Sequence, residues 1–134
     1  LKFYSAKDKY AYAYTPQFDV EDISTMAVSF YIYSDKTPSS TYSTELVVGV
    51  LTNPADPSTF TPLHTVSPSQ VKEWQHISVS LKDYEGDAYG DYGKYVAFRS
   101  GSADKTTYVW IDDVTLDFSY GICYNICVCK KIYS

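Results

Sequence analysis

The stretch Tyr108-Val109-Trp110-Ile111-Asp112-Asp113-Val114-Thr115-Leu116-Asp117-Phe118 carries the strongest strand signal in the chain. It is rich in β-branched and aromatic residues, which fit a pleated surface. Its middle holds two adjacent carboxylates, which an ordinary core strand does not carry. Strict alternation sets Ile111, Asp113 and Thr115 on one face and Trp110, Asp112, Val114 and Leu116 on the other. Neither face is then cleanly apolar, so one Asp has to be solvated, paired or bound to a cation. Ile111 and Val114 cannot share a face at period two, and a bulge near Asp112-Asp113 resolves the conflict. With one extra residue there, both apolar side chains face the core while a carboxylate turns outward.

The rest of the chain reads as a β-sandwich built around this strand. Leu1 to Ser5 and Lys9 to Thr15 are two strands about a Lys7-Asp8 turn. In the second, Tyr10, Tyr12 and Tyr14 alternate with Ala11 and Ala13, giving one tyrosine face and one alanine face. Met26 to Ser34 is the clearest core strand, with Met26, Val28, Phe30 and Ile32 on one side and Ser29, Tyr31 and Tyr33 opposite. Asp35 to Ser43 is a polar loop. Glu45 to Thr52 is nearly all apolar, as expected of a strand covered on both sides, and Gly49 inside it marks a bulge or a close backbone approach. Phe60 to Val66 carries Pro62 and suits an edge. Glu73 to Leu81 alternates again, Lys94 to Ser100 is a further strand, and Thr106 to Phe118 is the opening one. No apolar 3.6 period persists long enough for a helix. Eight or nine short strands at regular spacing predict an all-β antiparallel β-sandwich over residues 1–119. Residues 120–134 hold all three cysteines, Cys123, Cys127 and Cys129, and read as a tail or the start of a linker to a following module. Their spacing without a nearby His matches no zinc site, and they receive no chemical role.

Composition narrows the function classes. The 134 residues make one domain by length, able to bury a core without a cofactor. A net charge of -5 with Arg99 as the single arginine argues against nucleic acid, whose phosphates call for a cluster of cations. No apolar run approaches the length of a membrane span, so no membrane insertion is expected. Fifteen tyrosines against six phenylalanines keep many rings amphipathic. That balance suits half-exposed strand faces, and equally a surface that stacks on sugars or grips a partner. A first residue Leu1 rather than Met reads as a mature product or a piece of a longer protein.

Several segments in order carry a resemblance. They are Pro16-Gln17-Phe18-Asp19-Val20, Val28-Ser29-Phe30-Tyr31, Leu46 to Thr52, Pro57-Ser58-Thr59-Phe60-Thr61-Pro62, Trp74 to Val79, Lys94 to Arg99 and Ile111-Asp112-Asp113-Val114. The set, over Phe3 to Phe118, resembles the cleaved-adhesin or choice-of-anchor (MAM-like) jelly-roll modules of Bacteroidetes surface and secreted proteins. The resemblance implies a jelly roll, galactose-binding-like or concanavalin-like, on an extracellular or cell-surface protein with several modules. It also implies a structural calcium held in part by an acidic residue of the last core strand, here Asp112 or Asp113. The chain departs from the pattern in lacking a longer acidic, Trp-bearing N-terminal segment, and in its long loop from Asp83 to Gly93.

Calcium takes six to eight oxygen ligands, so Asp112 and Asp113 need partners, for which Asp19, Glu21 and Asp22 of an early loop are candidates. The competing reading is that these acids pair with Arg99 or a lysine, or cap a bulge. The loop Asp83 to Gly93 lacks the spacing of a helix-flanked calcium loop and reads as a solvated turn, or as a ligand contact through its tyrosines. Catalysis is not expected: there is no Gly-x-Ser-x-Gly elbow and no phosphate loop, and the histidines are His64 and His76. The expected function is therefore a non-catalytic adhesion or carbohydrate-binding-type module, its partner a glycan or a host or extracellular protein. Its candidate contact residues are Trp74, Trp110, Tyr31, Tyr33, Tyr84, Tyr89 and Tyr92, with core packing the competing reading for both tryptophans. The alternative is a structural spacer, filament or particle-surface domain that contacts neighbouring modules or copies of itself and takes no small ligand.

Overall fold

Alternating side chains build two sheets that face each other across one apolar layer. The computed structural model describes residues 1–6, 8–17, 22–85, 94–118, 123–125 and 130–133. These form β1 (Lys2–Ser5), β2 (Ala11–Tyr14), β3 (Met26–Tyr33), β4 (Tyr42–Ser43), β5 (Leu46–Leu51), β6 (Phe60–Val66), β7 (Gln75–Ser80), β8 (Tyr95–Ser100), β9 (Thr106–Phe118), β10 (Cys123–Asn125) and β11 (Lys130–Tyr133). Only two short 3-10 turns, Ile23–Thr25 and Pro57–Thr59, interrupt the strands among the described residues. The first sheet runs β1-β9-β3-β7, with β4 and β10 also paired to β9; the second runs β11-β2-β8-β5-β6. Every pairing is antiparallel except β4 with β9. The protein is an all-β sandwich, as its alternation predicts.

The inner faces supply the core. From the first sheet come Phe3, Val28, Phe30, Ile32, Val109, Ile111, Val114 and Leu116; from the second come Ala11, Ala13, Val48, Val50, Val96 and Phe98. Phe30 meets Phe98 edge-on across the layer, with ring centres 5.2 Å apart. Each fully buried Val, Leu, Ile or Phe contributes about 1.5–3 kcal/mol relative to exposure, so this layer dominates stability. The outer face of the second sheet is covered as well. Val47, Leu51, Ala97 and Tyr12 are buried there, and the Arg99 guanidinium lies 4.4 Å from the Tyr10 ring centre and 5.4 Å from that of Phe60. That cover explains why β5 is apolar at every position and buried along its length. It also divides the expected tyrosine face of β2, since Tyr12 is buried and packs edge-on against Phe60.

β9 is the hub of the first sheet and contains the expected bulge. Ser29 of β3 is paired with Thr115, and Tyr31 with Asp112, so Asp113 and Val114 together oppose Phe30. Asp113 has a positive φ of 51°, the left-handed conformation that one class of one-residue bulge uses and that Asp tolerates better than most residues. Its N–H donates to Asp112 Oδ1 at 2.9 Å. The extra residue changes the phase of the strand. On the C-terminal side Val114 and Leu116 face the core; on the N-terminal side Val109 and Ile111 do. Trp110, which strict alternation sets on one face with Val114 and Leu116, is thereby turned outward together with Tyr108.

Two features escape a reading by alternation. The polar loop after β3 contains β4, a two-residue parallel partner of β9, too short to show any period. Within 120–134, expected to be a tail or linker, the described residues pair β10 with β9 and β11 with β2, so they extend both sheets. No helix among the described residues is long and apolar enough to cross a membrane.

Candidate functional site

Register across the first sheet assembles aromatic rings on its outer face. β1 sets Tyr4 opposite Tyr108 and Lys2 opposite Trp110, while β3 sets Tyr33 opposite Trp110. Because residues directly opposite lie close on one face, their side chains meet. Tyr4 and Tyr108 ring centres are 5.1 Å apart, and Tyr42 lies 5.5 Å from Tyr108 on another side. Trp110 is 5.5 Å from Tyr33, which in turn is 5.1 Å from Trp74 at a shallow interplanar angle of 31°. Beside them Tyr31 meets His76 at 5.1 Å. The Lys2 ammonium joins the two groups, lying 4.8 Å from the Trp110 ring, 5.1 Å from Tyr108 and 5.7 Å from Tyr4. The result is a strip of ring surface crossing β1, β9, β3 and the segment leading into β7.

The strip is open to solvent. Trp74 is 47% exposed, Tyr4 45% and Tyr31 41%, and these are three of the five exposed large apolar side chains among the described residues. Tyr33, Tyr42, Tyr108 and Trp110 are half-buried, each held by its neighbours. Such rings lose little conformational freedom when a ligand arrives. Their electron-rich faces suit the C–H faces of a sugar ring, and the tyrosine hydroxyls suit its alcohols.

Of the residues singled out from sequence, Trp74, Trp110, Tyr31 and Tyr33 come together here. Core packing, the competing reading for the tryptophans, does not hold for either one. Tyr84 is corrected: only 9% exposed, it belongs to the core cluster, with its N–H donating to Leu81 O and its ring 5.3 Å from the Lys94 ammonium. It lies four residues past the end of β7, in a segment that reads as loop, with its ring drawn inward. Tyr89 and Tyr92 lie outside the described residues. Tyr4, Tyr42, Tyr108, His76, Lys2 and Lys36 were missed. Tyr108 had a signal, two positions before Trp110 on the same strand, but its face depends on the bulge. The others depend on pairings between distant segments.

Of the acidic candidates, Asp112, Asp113 and Asp22 lie among the described residues. Asp112 and Asp113 are exposed at the bulge, and Asp112 accepts the Asp113 N–H. Asp22 instead caps the Ile23–Thr25 turn, its Oδ1 accepting the Ser24 N–H at 3.0 Å and the Ser24 hydroxyl. That turn leads into Met26, which is opposite Phe118. Phe118 is five residues from Asp113, about 16 Å at the rise of a strand. Met26, into which the Asp22 turn leads, is thus set well along β9 from the bulge pair. Asp19 and Glu21 lie outside the described residues, and among the described ones no group of three His, Cys, Asp or Glu gathers. Asp112 and Asp22 each accept a local backbone N–H. As a cap, Asp22 is expected to contribute about 1 kcal/mol. Urea unfolding of Asp22→Ala should show that loss equally with and without a chelator, whereas an ion ligand would show it only without one.

No protein-family model, curated protein or solved structure matches this chain.

Proposed function

We propose that the protein is a non-catalytic, extracellular carbohydrate-binding or adhesion-type module of a larger surface or secreted protein, and that its ligand is a glycan laid on the aromatic strip of the first sheet. The carrying observation is the continuity of Trp110, Tyr33 and Trp74, three rings in contact on one exposed sheet face. A tryptophan 47% exposed at the end of this row extends the ring surface into solvent. The resemblance to surface jelly-roll modules points the same way on fold and location. Single-stranded nucleic acid also stacks on aromatic platforms, but such sites line a basic groove that follows the backbone for several nucleotides; here the ammonium groups beside the rings are Lys2 and Lys36, gathered about Tyr108 rather than spread along the strip to Trp74.

The experiment is a glycan array followed by affinity electrophoresis with wild type and Trp74→Ala. Saturable retention by at least one polysaccharide is expected, weakened about tenfold or more by the substitution, because exposed aromatic anchors carry most of the energy at such surfaces. Trp74 projects from the fold, so its loss should leave the melting temperature nearly unchanged. A protein that binds no glycan and instead self-associates in sedimentation would favour the spacer, filament or particle-surface reading.

A further inference from the structure

Two ammonium groups are built into one end of the strip. Lys2 Nζ lies 5.1 Å and Lys36 Nζ 5.4 Å from the same ring centre, Tyr108, while Lys36 is also 5.3 Å from Tyr42 and Lys2 4.8 Å from Trp110. They reach this ring from different segments, β1 and the loop after β3. Among the described residues, the acids close in sequence to this group are Asp112, two residues beyond Trp110 on β9, and Asp35 and Glu73, the chain neighbours of Lys36 and Trp74. At physiological salt the Debye length is about 8 Å, so a ligand on the Tyr108 ring feels these lysines more than the remote charges behind the net -5.

Resting on the glycan reading, we propose that the ligand is an acidic polysaccharide built of uronic acids, with a carboxylate seated at the Lys2–Lys36 end and its neighbouring sugars on Trp110, Tyr33 and Trp74. A uronic acid carries its charge in place of the hexose hydroxymethyl group and keeps the C–H faces of its ring free to stack. Lysine supplies a point charge able to meet a single carboxylate. A neutral glycan would draw on the rings alone, whereas a uronate adds a charge beside Lys36 and Lys2.

The test compares polygalacturonate with the same polymer fully methyl-esterified, which removes the charge and keeps the sugar rings. Wild type, Lys36→Met, Lys2→Met and Trp74→Ala are measured by affinity electrophoresis, with circular dichroism and melting temperature confirming the fold of each. The acid polymer is expected to bind at least tenfold more tightly than the ester and to weaken when salt rises from roughly 0.15 to 0.5 M, as screening shortens. Lys36→Met should lose at least fivefold on the acid form, and Trp74→Ala should lose on any form that binds. Lys36 lies in a loop, so its variant stands even if Lys2→Met disturbs β1. Equal binding of ester and acid, unchanged affinity in both lysine variants, or stronger binding of dextran sulfate than of the uronate overturns the proposal. Binding to a neutral β-glucan but not to the uronate overturns it and leaves the glycan reading standing; binding to no saccharide overturns both.

Discussion

Deletion of Asp113 is expected to leave the chain unfolded, whereas replacing Asp113 by Gly is expected to keep or raise its stability. The extra residue opposite Phe30 lets both halves of β9 face the core. Without it, the N-terminal half has to invert, because a one-residue shift moves every side chain to the other face. Val109 and Ile111, now buried at 0% and 1% exposure, would turn to water. Each would forfeit about 1.5–3 kcal/mol. Tyr108, Trp110 and Asp112 would turn inward, and an unpaired carboxylate adds several kcal/mol more, up to the point where it takes a proton. The sum takes up most of the roughly 5–15 kcal/mol that a domain has in total. Substitution asks a different question, because it keeps the bulge. Asp113→Gly relieves the left-handed backbone, while Asp113→Val is expected to cost about 1–2 kcal/mol. Urea unfolding followed by circular dichroism separates the three. A deletion variant that unfolds cooperatively at the wild-type midpoint would contradict the role given to the bulge.

Gly49→Ala is the second large effect. Gly49 lies in the middle of β5, between Ala97 of β8 and Pro62 of β6, at the point where the β5–β6 register shifts. A Cβ there would stand 2.0 Å from the Thr61 carbonyl oxygen and 2.9 Å from two carbons of the Phe60 ring. The oxygen belongs to the backbone and cannot swing aside. With β8 fixed on the other side, β6 has to part from β5. Overpacking costs about 1–3 kcal/mol, and each ladder bond lost adds about 1 kcal/mol. A loss of about 3–5 kcal/mol is therefore expected in urea unfolding, large for one methyl group, and a loss under about 1 kcal/mol would show that the edge strand yields freely.

Much of this was legible in the sequence because the signals are local. The span of β9, the inward set of β3 and the bulge all follow from period two and the clash between Ile111 and Val114. Gly49 marked a bulge or a close approach, and there the β5–β6 register shifts and the Thr61 carbonyl comes close. What stayed hidden depends on pairing between distant segments. Nothing near Tyr4 tells that β1 lies beside β9, and so nothing there puts Tyr4 against Tyr108. Trp110 was the instructive residue: on strict alternation it shares a face with Val114 and Leu116, and only the bulge frees it. Tyr84 failed for the opposite reason, since membership in a polar loop implies exposure and its ring is buried.

The two tryptophans of the chain, Trp74 and Trp110, both lie on the proposed ligand face, so intrinsic fluorescence reports that face directly. The most direct measurement is a titration of tryptophan emission with a bound polysaccharide, in the presence of acrylamide as quencher. The expected result is a saturable change in emission, with quenching of the exposed Trp74 reduced at saturation and the midpoint equal to the calorimetric one. A polysaccharide that binds by calorimetry yet leaves both emission and quenching unchanged would place its site elsewhere and contradict the assignment of the strip.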